Sequence, residues 1–156
     1  MKLEEAFELK ENFKETLTSM LPENISKQLE VVDVKSYKDN KELKELIDER
    51  VPKDKIHLKQ CFGNAAVIAT FIEEADYVEG YVGLDLGGSI LPIEHAWNVY
   101  KGGYYFDITS DEIFGGNISQ GEKNYAKLIT IEDPEKARQL ANDVKRATYY
   151  IQKGDM

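Results

Sequence analysis

Cysteine is almost absent from this 156-residue chain, which carries Cys61 alone, and histidine occurs only as His57 and His95. One cysteine excludes an internal disulfide, and one Cys with two His is too few for a structural zinc site unless carboxylates join. Positive charge is also in deficit, 20 Lys and Arg against 29 Asp and Glu for a net charge of −9. Phosphate contacts need clustered cations, so nucleic acid and anionic membrane surfaces are not expected partners. No run of 18 apolar residues occurs, and the opening MKLEEAFELKENF is acidic and amphipathic where a secretory leader is basic and then apolar. The chain is therefore expected to be soluble and cytoplasmic. Repeats and low-complexity tracts are missing too, and the length suits a single domain over 1–156.

The remaining pattern is legible as elements. Leu3, Phe7, Phe13, Leu17 and Met20 recur at roughly helical spacing before Pro22, which predicts an amphipathic helix over 3–20. LEVVDVKSY is strand-prone, and NKELKELIDERV returns to the helical period through Leu43, Leu46, Ile47 and Val51 until Pro52. From Cys61 to Ala75 almost no polar face is left, the pattern of a buried central helix. Three strands are expected next, at 77–84, 90–100 and 104–109, joined through DLGGS and KGG as a meander. SDEIFGGNISQGEKN reads as a long surface loop. The last helical element is expected over 133–151, with Asp133 as N-cap, Pro134 at N1 and a stripe of Ala137, Leu140, Ala141, Val144 and Ile151.

Cys61, His95 and Asp107 can form one site on physical grounds. A thiol attacks as thiolate, and at an ordinary pKa of about 8.5 little of it is ionised at neutral pH. The N-terminus of a helix contributes about 0.3–1 kcal/mol, a pKa unit or less. A neighbouring imidazole that keeps the proton does more, and an aspartate on its far nitrogen holds it in place. Strand parity tests the idea. A two-residue Gly102-Gly103 turn would put His95 and Asp107 on opposite faces. A three-residue loop Lys101-Gly102-Gly103 pairs Tyr100 with Tyr104 and Trp97 with Asp107, making His95 a same-face diagonal neighbour of Asp107. That register is expected, with Gly103 as the left-handed residue.

In order and context, QCFGNA, YVEGYV, EHAWN and YYFDIT resemble the transglutaminase-like superfamily, over roughly residues 58–110. The resemblance implies an α+β fold with a papain-like core, in which a buried helix carrying the cysteine packs on a small antiparallel sheet, flanked by N- and C-terminal helices. It implies Cys61 as nucleophile, His95 as general base and acid, and Asp107 as orienting group. The activity implied is that of a thiol hydrolase or acyltransferase working on amide, peptide or isopeptide bonds of a protein or peptide substrate through a thioester. The domains of the large calcium-dependent cross-linking enzymes have no counterpart here. Neither a cofactor nor a metal is expected, and Asp76, Glu79 and Asp85, near strand ends, lack calcium-loop spacing.

Other readings remain for each residue. Cys61 alone suits a buried structural thiol, His95 a satisfied core histidine, and Asp107 a turn cap. Gln60, Trp97 and Asn98 are the candidates for oxyanion hole or cleft wall, with the Cys61 backbone N–H as a further oxyanion donor. Asn98 could orient the imidazole, but sits on the other strand face. His57, in the polar KDKIHLKQ, is expected to be exposed. Tyr81, Tyr104 and Tyr105 are expected in the core or cleft wall. A non-catalytic peptide- or protein-binding module on the same fold is the alternative function.

Overall fold

The computed structural model describes residues 13–85, 90–113 and 124–154. Among them the chain forms seven α-helices and an open antiparallel sheet of five strands, an α+β arrangement. In chain order these are α1 (13–20), α2 (Glu23–Ser26), β1 (Glu30–Val32), α3 (Lys41–Arg50), α4 (Cys61–Phe71), β2 (Ala75–Asp85), β3 (Ile90–Tyr100), β4 (Tyr104–Phe106), α5 (Ile108–Ile113), β5 (Asn124–Ile131), α6 (Pro134–Ala141) and α7 (Ala147–Gln152). The sheet order is β1-β5-β2-β3-β4, so β2, β3 and β4 are the expected meander and β5 returns to lie between β1 and β2. Residues 3–12 of the expected first helix, and most of the expected 110–124 loop, lie outside the described residues.

Local chemistry accounts for most boundaries. The Asn40 side chain accepts from the Leu43 N–H at 3.1 Å and starts α3, whose Leu43 and Ile47 are fully buried. Asp133 accepts from the Glu135 N–H at 2.9 Å ahead of Pro134, capping α6 as expected. Helix α4 buries Ala65, Ala66, Ile68 and Ala69 against the sheet. It stops at Phe71, and Ala75 opens β2 instead of ending the helix.

Alternation divides the sheet into two faces. Tyr77, Tyr81 and Ala96 join the core that includes α1, α4, α6 and α7, while Val78, Val82, Trp97, Val99 and Tyr125 form a cluster on the other side. Gly80 sits where β2 and β5 approach across a bulge; a Cβ there would lie 2.1 Å from the Ala126 carbonyl oxygen. Only glycine fits that approach.

Three expectations are corrected. The C-terminal element is two helices: it breaks after Ala141, Val144 is 95% exposed, and α7 restarts at Ala147. Arg146, in the break, turns inward and pairs with Glu79 at 3.5 Å. Glu79 lies in the middle of β2, buried, accepting from the Tyr77 hydroxyl and the Ala147 N–H at 2.6 Å each. The third strand ends at Phe106, and Ile108 and Thr109 are helical, as are Ser110 and Asp111, both buried where surface loop was expected.

Candidate functional site

The β3–β4 hairpin pairs Tyr100 with Tyr104, Val99 with Tyr105 and Asn98 with Phe106, the register of a three-residue loop. The loop chemistry differs from expectation. Lys101 (φ 51°) and Gly102 (φ 71°) take the left-handed conformations, and the Gly103 N–H donates to the Tyr100 carbonyl at 3.2 Å. That is a primed turn, whose twist matches the strands.

Asp107 follows β4 directly and caps α5: its Oδ1 accepts from the Ser110 N–H at 3.3 Å and its carbonyl from the Asp111 N–H at 3.0 Å. The other carboxylate oxygen, Oδ2, lies 2.8 Å from His95 Nε2. The cap reading and the orienting reading of Asp107 thus both apply, through different oxygens. The Tyr125 hydroxyl from β5 donates to the same Oδ2 at 2.7 Å. This third partner went unnoticed in the sequence, where YAKLITI alternates like a strand but lies beyond the loop.

With Nε2 engaged by Asp107, Nδ1 is the ring nitrogen left to face Cys61, whose thiol is near enough to act on the charge of His95. Burial alone would push the imidazole down. The charge and hydrogen bond of Asp107, followed by the hydrogen bond and charge of Cys61, outweigh it and raise His95 to about 10. Burial likewise favours a neutral Asp107, but the charge and hydrogen bond of His95, then the Tyr125 hydroxyl, hold the carboxyl below its ordinary value. Two groups that would each be neutral alone in this site therefore sustain each other's charge.

Cys61 is the first residue of α4 and is partly exposed. The helix's first internal bond runs from the Asn64 N–H to the Gln60 carbonyl at 2.8 Å, and the Gln60 side chain makes no cap bond. The N–H groups of Cys61 and Phe62 therefore have no acceptor within the helix, as at any helix start. Asn64, fully buried, fixes this turn. Its Oδ1 accepts from the His57 N–H at 2.9 Å, and its Nδ2 donates to the His57 carbonyl at 2.8 Å and to Thr109 Oγ1 at 2.9 Å. One amide thus ties the segment before Cys61 to the helix that follows Asp107.

The remaining candidates separate. Trp97 is fully buried with its ring 6.1 Å from that of His95 and 24° from parallel, covering the imidazole on the sheet side. Its Nε1 is buried without a partner among the described residues. Asn98 is no cleft residue: fully buried, it donates to the Ala65 carbonyl at 2.9 Å and the Asp76 carbonyl at 3.1 Å, pinning β3 to α4. Gln60 lines a separate cavity of about 440 Å³ on the outer side of α4, with His57, Val67, Phe71 and Arg138 on its walls. His57 is exposed. The Tyr81 hydroxyl meets Thr148, that of Tyr104 meets the Ser36 carbonyl, and that of Tyr105 accepts from Lys127. No group of three or more His, Cys, Asp or Glu among the described residues is arranged to hold a metal ion.

The class that fold and site define is an α+β protein with a Cys-His-Asp constellation between a helix start and a sheet. No family model, curated protein or solved structure matches the chain. No helix among the described residues is long and apolar enough to cross a membrane.

Proposed function

We propose that the chain is a cysteine-nucleophile hydrolase or acyltransferase of the transglutaminase-like, papain-like kind, acting on peptide or isopeptide bonds of a protein or peptide substrate. The observation that carries this reading is the part-buried His95, bonded through Nε2 to Asp107, with Cys61 at a helix start beside it and acting on its charge. A charged imidazole beside a cysteine is the arrangement from which thiol nucleophiles attack.

In this mechanism the Cys61 sulfur adds to the substrate carbonyl carbon, and the carbonyl oxygen takes the negative charge toward the Cys61 N–H. Collapse breaks the C–N bond, and His95 gives its proton to the departing amine, leaving a thioester. Water, deprotonated by His95, adds to the thioester carbon and expels the thiolate; a second amine in place of water gives transamidation. Asp107 keeps the imidazole oriented and stabilises its charge without itself taking the proton.

The test is the rate of iodoacetamide alkylation at Cys61 against pH, on the wild type and on His95→Ala. The expected result is a plateau that persists well below pH 7 and disappears in the variant. A rate that follows an ordinary thiol near pH 8.5, or no labelling, overturns the proposal and leaves a binding or structural domain.

A further inference from the structure

Strand β3 changes character at His95. From Ala96 to Tyr100 it is buried, whereas Leu91, Ile93 and Glu94 are exposed. Strand β2 pairs with β3 along its whole length, but β4 pairs only with residues 98–100. Among the described residues, the stretch before Asn98 has no strand partner on the side away from β2.

Its hydrogen-bonding groups can be assigned. The Lys101 N–H donates to the Glu74 carbonyl, so odd-numbered residues of β3 bond to β2 and even-numbered ones face the free edge. The Glu94 N–H and C=O and the Pro92 C=O therefore point away from β2, with no strand partner among the described residues. Pro92, which has no N–H to offer, sits where an edge strand tolerates proline. Leu91 (43% exposed) and Ile93 (39%) share a strand face with His95, and Leu58 (58%) lies three residues before Cys61. These are three of the five large hydrophobic residues exposed among the described residues. An open strand edge with apolar side chains, running into the reacting pair, calls for a partner that carries backbone amides and alternating apolar groups.

We infer that the substrate is an extended peptide that adds as a strand to the free edge of β3 over residues 91–94 and is led by that pairing to Cys61 and His95. The inference rests on the function proposed above and narrows it, since a small acyl donor has no use for such an edge. Alternate amides of the peptide bond to the edge, and those between them point away.

The test uses the full chain and acetyl-Leu-Ala-Leu-Gly chloromethyl ketone, whose chloride is displaced by the Cys61 sulfur as the C–S bond forms. The same probe is then made with a methyl group on each backbone amide in turn. The unmethylated probe is expected to react at least about tenfold faster than acetyl-Gly chloromethyl ketone. Methylation at alternate amides should cost about tenfold, the scale of a lost hydrogen bond or two, and leave the intervening positions within about twofold. A normal iodoacetamide plateau without this alternation overturns the inference alone. Loss of the plateau itself overturns the proposed function, and the inference with it. Sedimentation of the chain as a dimer held through this edge would assign the edge to a second copy and also overturn the inference.

Discussion

Replacing Asp107 by Asn removes one charge from the site while leaving its size nearly unchanged. In the wild type His95 is raised from 6.5 to about 10, against burial that pulls it down. The interval of 10 − 6.5 is 3.5 units, which at about 1.36 kcal/mol per unit corresponds to roughly 5 kcal/mol favouring the imidazolium. Breaking a buried pair from one side costs about 3–5 kcal/mol, the same range. In Asp107→Asn, burial is opposed only by Cys61, and His95 should fall to its ordinary value or below. The assay is a pH titration of the His95 imidazole Cε1–H resonance. In the wild type this ring should stay protonated to pH 9, and in the variant it should not. Stability gives a second reading with a definite sign. Because the folded value is the higher one, the contribution of His95 is fully present below pH 6.5 and is lost as pH rises toward 10, at about 1.36 kcal/mol per unit. For Asp107 the folded value is the lower one, so its contribution is present above pH 3.8 and is lost in more acid solution. Denaturant unfolding should therefore show the wild type weakening from pH 6.5 to 9 more steeply than the variant. A His95 that titrates alike in both proteins would refute the argument, since Asp107 would then not sustain its charge.

Other consequences can be checked with the same unfolding curves. Gly80→Ala should destabilise by roughly 2–3 kcal/mol, because the new Cβ meets the Ala126 carbonyl oxygen, which is backbone and cannot swing away; unchanged stability would mean that β2 and β5 do not approach so closely. Asn98→Ala should cost about 1–3 kcal/mol by baring the Ala65 and Asp76 carbonyls. Its His95 resonance should still titrate as in the wild type, which separates this scaffold amide from an orienting one. Burial raises Asp111 to about 6, so its contribution is present below pH 3.8 and is lost as pH rises through 6. Asp111→Asn, which still offers an oxygen to the Tyr37 N–H, should stabilise the protein above pH 6 by up to about 3 kcal/mol and do nothing at pH 4.

Local patterns carried much of this molecule. The cap residues Asn40 and Asp133, the apolar run after Cys61 and the parity of the KGG loop are all short-range signals, and helices α3, α4 and α6 and the β3–β4 register follow from them. Even the relation of His95 to Asp107 could be posed in advance, since residues on two strands of one hairpin are coupled by the turn between them. What failed locally did so for identifiable reasons. The helical stripe through Val144 ignored Arg146, which leaves the helix to reach Glu79 across the core. Ser110 and Asp111 read as polar loop because no short window can show that Asp107 starts a helix there, with the Tyr37 N–H, 74 residues away, held by Asp111.

The sequence by itself determined helices α3, α4 and α6, the β2–β4 meander, the absence of an internal disulfide and the pairing register on which the His95–Asp107 contact depends. Only the tertiary structure decided that Tyr125 shares the Asp107 carboxylate, that Asn64 binds the Cys61 turn to the start of α5, and that, among the described residues, β3 has an open edge before Asn98. The first two join segments 18 and 45 residues apart, and the third depends on where β4 ends. Such contacts depend on how whole elements pack, and the periodicity of any one element is the same whether or not they form.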